Sequence, residues 1–250
     1  MGTVRIVMTG ERPQQRNCAI TAEALTPAAL YRLMTWFSPA YPIGAFSYSS
    51  GIEWSVEAGD ISDATTLRSW LTVMVAEGGG YCDAVFFAHA YRAAAELDED
   101  SLRTASELAI ALAPSAERHL ETTAQGRAFL DITRAAWPCA ALDRLDAIAN
   151  GIVALPAAVA AACAGHGIAL APAVGCYLHA LAANLVSAGV RLIPLGQSDG
   201  QRVLAALEPV VTATAARALT TPLDEVASTA IRADLASMHH ETQYTRLFRS

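Results

Sequence analysis

The sequence contains no lysine; all seventeen of its positive charges are arginine. A phosphate-binding loop of the GxxxxGK[ST] type is therefore excluded. So are a lysine Schiff base and a lysine general base, and a classical P-loop must sit on another chain. Charge of either sign is scarce, at 16% of residues against roughly 25% in ordinary soluble chains. The net charge of −7 argues against nucleic acid as a partner. The five cysteines, Cys18, Cys82, Cys139, Cys163 and Cys176, are odd in number and form no CxxC pair. They read as buried thiols of a reducing, cytoplasmic setting, with no disulfide frame and no zinc site. The first residues lack the basic-then-apolar plan of a signal peptide.

Between residues 147 and 190 there is no Asp, Glu, Lys or Arg. A membrane span needs about 20 mostly apolar residues. This stretch is interrupted by Pro156, Gly165-His166-Gly167 and Pro172, and it carries His179 and Asn184. It reads as a helix pair buried in a core or a subunit interface, not as an anchor.

Strand alternation, βαβ rhythm and internal repeats are also missing. What is present is helical punctuation. Thr26-Pro27 supplies a cap and a proline at the first helical position. Leu30, Leu33, Met34 and Phe37 follow at amphipathic spacing. Ser62-Asp63 starts a second helix with the stripe Leu67, Trp70, Leu71 and Met74, ended by Gly78–Gly80. Further helices are predicted over Tyr81–Leu97, from Asp98 to Leu112, and from Ser115 to Trp137. Val190–Leu195 is the one stretch that reads as extended. A helix then starts near Ser198-Asp199, with a kink or restart at Pro209, and a last one runs from about Pro222 to Ser237. The fold class is all-α, a single compact helical domain of about ten helices. It spans 26–237, between a flexible leader at 1–25 and a partner-docking tail at 238–250.

The densest local signal lies at residues 37–54, where two prolines, two glycines, four serines and five aromatic rings separate two helices. Pro39 and Pro42 disfavour helix at Ser38 and Tyr41, and Gly44 and Gly51 open backbone angles closed to other residues. The segment predicts a stiff aromatic elbow built for recognition, without a nucleophile–base pair or a metal-ligand cluster.

Gly196-Gln197-Ser198-Asp199-Gly200 matches the GxSxG nucleophile elbow. With Asp224 or Asp234 and His239 or His240 it would complete a serine-hydrolase order, the alternative to a non-enzymatic reading. A Ser-Asp pair at a helix start is more simply a cap. His239-His240 point about 100° apart on a helix and form no chelate by themselves. Glu53 and Glu57, at i and i+4, read as solvated helix charges. The end of the chain is less bland: Tyr244, Leu247 and Phe248 are large apolar side chains flanked by Arg246 and Arg249. Burying each would contribute roughly 1.5–3 kcal/mol, and the segment reads either as an end docked on its own domain or, the favoured reading, as a peptide that docks a partner and orders on binding.

Three segments together carry a family resemblance: Ser38–Glu53, then Pro194-Leu-Gly-Gln-Ser-Asp-Gly-Gln201, then Tyr244-Thr-Arg-Leu-Phe-Arg-Ser250. In this order and spacing, over about residues 28–250, the chain closely resembles the UreF family of urease accessory proteins. The resemblance implies an all-α homodimer that is not an enzyme and has no cofactor. It implies an assembly chaperone that binds UreD (also called UreH) and recruits the GTPase UreG. Nickel is then inserted into apo-urease as GTP is hydrolysed, with a possible regulatory effect on the GTPase. By match, Tyr244, Arg246, Leu247, Phe248 and Arg249 would meet UreD. Tyr48, Glu53, Gln197, Asp199 and Gln201 would belong to faces where partners assemble.

Overall fold

The computed structural model describes residues 25–250. The predicted leader lies outside the described residues except for Leu25, which packs half-buried against the core. Eleven α-helices and two short 3-10 turns are present among the described residues, with no strand. They are α1 (Pro27–Trp36), α2 (Ile52–Glu57), α3 (Ala64–Ala76), α4 (Gly79–Glu96), α5 (Glu99–Ala111), α6 (Ala116–Ala136), α7 (Ala140–Ile148), α8 (Leu155–Gly165), α9 (Leu170–Leu192), α10 (Gln197–Ala218) and α11 (Ile231–His240).

Helix starts follow local side-chain chemistry. Thr26 Oγ1 accepts from the Ala29 N–H at 3.1 Å. Asp63 and Thr66 close a reciprocal box, with Thr66 N–H donating to Asp63 Oδ1 at 2.8 Å and Asp63 N–H to Thr66 Oγ1 at 3.0 Å. Asp98 and Ser115 cap α5 and α6 in the same way. Each satisfies an N–H that the first turn leaves orphaned.

Helix α8 is the centre of the larger apolar cluster. Every residue from Pro156 to Cys163 is buried, and α8 packs against α4, α6 and α7. Five of those residues are alanine, so neighbouring backbones come close. The closest approach is at Gly126 of α6, where a Cβ would collide with the Val153 carbonyl oxygen and the backbone of Ala154 and Leu155. A second cluster joins α2, α3, α9 and α10 through Ile52, Leu67, Leu71, Leu185, Val203 and Leu207. Helix α9 ties the two together: Val174, Tyr177 and Leu178 belong to the first, Leu185 and Val186 to the second. Helix α9 is long and apolar enough to cross a membrane by length and composition, yet half of its most apolar window is buried inside the fold. Within the uncharged stretch, α8 is core and α9 lies half in it.

Several local expectations change. Val190–Leu192 completes α9, and the chain leaves the helix at Ile193, which is extended, because these residues continue an apolar helical face into the second cluster. Gly79 and Gly80 open α4 instead of ending α3. On α1 the core-facing residues are Ala29, Leu33 and Trp36, whereas Leu30 and Met34 are exposed; the face lies one residue from the predicted stripe. Pro209 leaves α10 continuous. Its missing N–H frees the carbonyl of Ala205, which faces solvent and costs little there. The last helix starts at Ile231, not near Pro222, and reaches His240; residues 226–230 are non-helical.

Gly126→Ala is expected to lower thermal stability by several kcal/mol, since backbone must move. Gly175→Ala, in mid-helix with open space around its Cβ position, is expected to raise it by about 0.5–1 kcal/mol. Thermal unfolding of both variants checks the pair.

Candidate functional site

The elbow, α11 and the final residues meet in one place. Gly44 and Gly51 both take left-handed φ, at 73° and 82°. At Gly51 a Cβ would also stand 2.6 Å from the Ser237 backbone nitrogen, so glycine lets α2 start against α11. Helix α2 then carries Glu53 inward.

Glu53 is 7% exposed, which corrects the expectation of a solvated helix charge. Its Oε1 accepts the Leu247 N–H at 2.6 Å and its Oε2 the Phe248 N–H at 2.8 Å. Its neighbour His240 is fully buried, not a solvated helix end. His240 Nε2 lies 3.2 Å from Glu53 Oε2 and Nδ1 lies 2.6 Å from Glu117 Oε2. Glu117 Oε1 also accepts from Arg246 at 2.7 Å. Glu57 remains exposed and takes a hydrogen bond from Gln243.

The rest of the tail is bound along the elbow. Arg249 N–H donates to the Ser47 carbonyl at 2.8 Å. Ser49 donates twice to the Ser250 carbonyl, from its N–H at 2.7 Å and its hydroxyl at 2.5 Å. The Ser250 hydroxyl donates to Glu121 Oε2 at 2.9 Å. Phe248 is 4% exposed beneath the Arg191 guanidinium, which lies 4.3 Å from its ring centre. Tyr48 is 3% exposed, with the Arg249 guanidinium 6.0 Å from its ring. It supports the tail from below and presents no ring to solvent. Tyr244 and Leu247 point outward, fully exposed and 65% exposed respectively, and Phe46 of the elbow stands beside the tail region 67% exposed.

A second buried polar group lies behind the elbow. Arg118 pairs with Glu121 and donates to Ser50 Oγ at 2.8 Å. Burial opposes the Arg118 charge, but Glu121 and Asp83 outweigh it and hold the guanidinium firmly ionised. Tyr177 donates to Asp83 Oδ2 at 2.9 Å. Burial pushes the Asp83 carboxyl up to about 6, against the opposing pull of Arg118 and the Tyr177 bond. Asp83, Arg118, Glu121 and Tyr177 line a cavity of about 290 Å³ whose other walls include Trp36 and Phe129.

Gln197, Asp199 and Gln201 lie apart from this network, in the first five residues of α10. Gln197 and Gln201 are exposed. Asp199 accepts from the Gly196 N–H at 3.4 Å and from Arg202 at 2.6 Å, which is the cap role. Ser198 is exposed there. Both ring nitrogens of His240 are engaged by glutamates, and His239 stacks on Trp54 with centroids 5.1 Å apart. Among the described residues neither histidine bonds to Ser198, and no group of three or more His, Cys, Asp or Glu could hold a metal ion. The hydrolase alternative has no base.

The UreF family profile matches residues 61–208. The chain belongs to the UreF family of urease accessory proteins. It is 58% identical over 244 residues to a urease accessory protein UreF of Rhodopseudomonas palustris strain BisB5, covering 97% of this chain and all of that protein. A UreF of R. palustris strain BisB18 is 60% identical over 227 residues, 91% of this chain and 94% of its own length. One of Bradyrhizobium diazoefficiens is 56% identical over 245 residues, covering 98% of this chain and all of that protein. The matched profile ends before the tail and begins after the elbow, so the two segments in contact here lie outside it.

Sequence reasoning found the tail and the elbow but missed Glu117, Glu121 and Arg191, which hold them together. No spacing links these residues of α6 and α9 to the elbow and the tail.

Glu53→Ala is expected to free the final residues by removing three hydrogen bonds to a charged group. The loss is on the order of 2–3 kcal/mol of tail docking, read as faster carboxypeptidase release of residues 247–250. Asp83 yields a pH test. Its folded value lies above its ordinary one, so its favourable contribution is complete below about pH 4 and is withdrawn as pH rises through about 6. Asp83→Asn is expected to flatten that decline, worth at most about 3 kcal/mol, in urea unfolding measured between those two values.

Proposed function

We propose that the protein is a non-enzymatic assembly chaperone of urease maturation that bridges UreD (UreH) and the GTPase UreG, so that nickel enters apo-urease as GTP is hydrolysed. The observation that carries this reading is the tail. Its backbone is clamped by Glu53, Ser47 and Ser49, while Tyr244 and Leu247 are left in solvent beside Arg246, Arg249 and exposed Phe46. A clamped backbone with outward aromatic and arginine side chains lowers the ordering cost of binding and supplies the residue types that dominate interfaces. Tyr244, Arg246, Leu247 and Arg249 meet UreD in this reading. Phe248, Tyr48 and Glu53 shape that surface from within. Gln197, Asp199 and Gln201 form a separate exposed helix start for another partner.

The absence of lysine fits a protein that leaves nucleotide chemistry to UreG. The protein acts in the cytoplasm as a homodimer, without a cofactor of its own and without a membrane or nucleic-acid partner. Any effect on the UreG GTPase is regulatory.

The double variant Tyr244→Ala/Leu247→Ser removes only exposed side-chain surface. It is expected to leave the unfolding midpoint within about 0.5 kcal/mol of the parent and to weaken UreD co-purification and urease activation at least tenfold. Undiminished co-purification would remove the tail from the UreD interface.

A further inference from the structure

We propose that the cleft between the elbow and α9 binds a small organic cation, an ammonium or amidinium group on a flat apolar body, with Asp83 as its counter-ion. This site goes beyond the docking role proposed above and does not depend on it.

An ionised carboxylate can accept about four hydrogen bonds. Among the described residues Asp83 accepts one, from the Tyr177 hydroxyl at 2.9 Å, and forms no ion pair. The polar groups beside it are better served. Glu121 pairs with Arg118 and also accepts from Gln125 at 3.3 Å and from the Ser250 hydroxyl at 2.9 Å. Arg118 spends its contacts on Glu121 and on Ser50 Oγ at 2.8 Å. Two carboxylates therefore share one guanidinium, and the surplus negative charge rests on Asp83. Burial pushes that carboxyl up to about 6, which still leaves it mostly ionised near neutral pH. An enclosed carboxylate without a paired cation is costly, and a bound cation would remove that cost.

The cavity of about 290 Å³ supplies the rest of such a site. Trp36, Tyr41 and Phe129 form one aromatic wall, with Trp36 edge-on to Phe129 at 6.0 Å and Tyr41 tilted on Phe129 at 5.5 Å between ring centres. The wall is held in place, because the Tyr41 hydroxyl is bonded to Thr133 Oγ1 at 2.8 Å and all three rings are buried. Aromatic rings attract cations. A preformed, mostly apolar cavity with a few convergent polar groups is the usual form of a small-molecule site.

The cavity reaches the surface, since its lining includes exposed Phe46 of the elbow and exposed His179 and Ser187 of α9. Its volume is that of about ten water molecules, enough for a one-ring ligand. An anion would meet two carboxylates. A bare metal ion needs several donor atoms, and among the described residues no group of three or more His, Cys, Asp or Glu is placed to hold one. A flat cation with an apolar body answers both the surplus charge and the aromatic wall.

The test uses the full chain without a partner and a series of one-ring probes of nearly one shape: benzamidine as the cation, benzamide as its neutral counterpart and benzoate as the anion. Calorimetric titration is expected to give benzamidine a Kd of about 1 mM or tighter, with benzamide and benzoate weaker by about tenfold or more. Asp83→Asn is expected to weaken benzamidine by about tenfold. Intermolecular NOEs from the benzamidine ring to the Trp36 and Phe129 rings are expected to place the probe in the cleft. The absence of saturable benzamidine binding overturns the site. Equal affinity for benzamide overturns the cation class, and undiminished benzamidine binding by Asp83→Asn overturns the counter-ion. NOEs confined to other residues overturn the location. If Asp83→Asn does not fold, the probe series and the NOEs on the parent chain decide.

Discussion

Glu53 places a buried carboxylate where three chain segments must meet, and the arrangement around it depends on that charge being satisfied. A lone ionised carboxylate out of water is costly, and full hydrogen bonding is what makes it tolerable. Here the satisfying donors are two backbone amides of the tail and the ring of His240. Helix α2 therefore cannot sit where it does unless the tail lies across it and α11 closes behind. Gly51 allows that closeness, since any side chain would press into the backbone of Ser237.

The tail is accordingly part of the fold and part of the surface at once. It is divided by burial: Phe248 and Ser250 point into the body, whereas Tyr244 and Leu247 do not. An inward anchor next to an outward contact residue is what a short segment needs to be both ordered and available. The same division reinterprets the aromatic elbow. Its rings mostly point into the body, with Tyr41 and Tyr48 buried and Phe46 exposed, so its recognition content lies chiefly in the tail it carries.

The alanine-rich helix α8 serves the opposite purpose. It presents little side-chain volume, so α4, α6 and α7 approach it closely, and the resulting packing leaves no tolerance at Gly126. Low charge and high alanine content are consistent with a core of that kind, and the polar cluster of Asp83, Arg118, Glu121 and Tyr177 is enclosed between this core and the elbow.

The sequence by itself determined the helical class, the caps at Thr26, Asp63, Asp98 and Ser115, the turns at Gly44 and Gly51, and the family. Each of these depends on residues within a few positions of one another, or on three segments read as strings. It determined too that lysine chemistry is absent. Tertiary structure alone decided which charges are buried. Glu53 and Glu57 look alike at i and i+4, yet one is enclosed and the other exposed, because α11 and residues 247–250 pack over Glu53 whereas Glu57 meets Gln243 at the edge. It decided the α1 face as well, where Leu33 and Trp36 are inside and Met34 is not, and it turned Val190–Leu192 into helix. Contacts such as Glu53 with Phe248, or His240 with Glu117, join residues more than a hundred positions apart. No local pattern encodes them, since their energy exists only once the helices that carry them have packed.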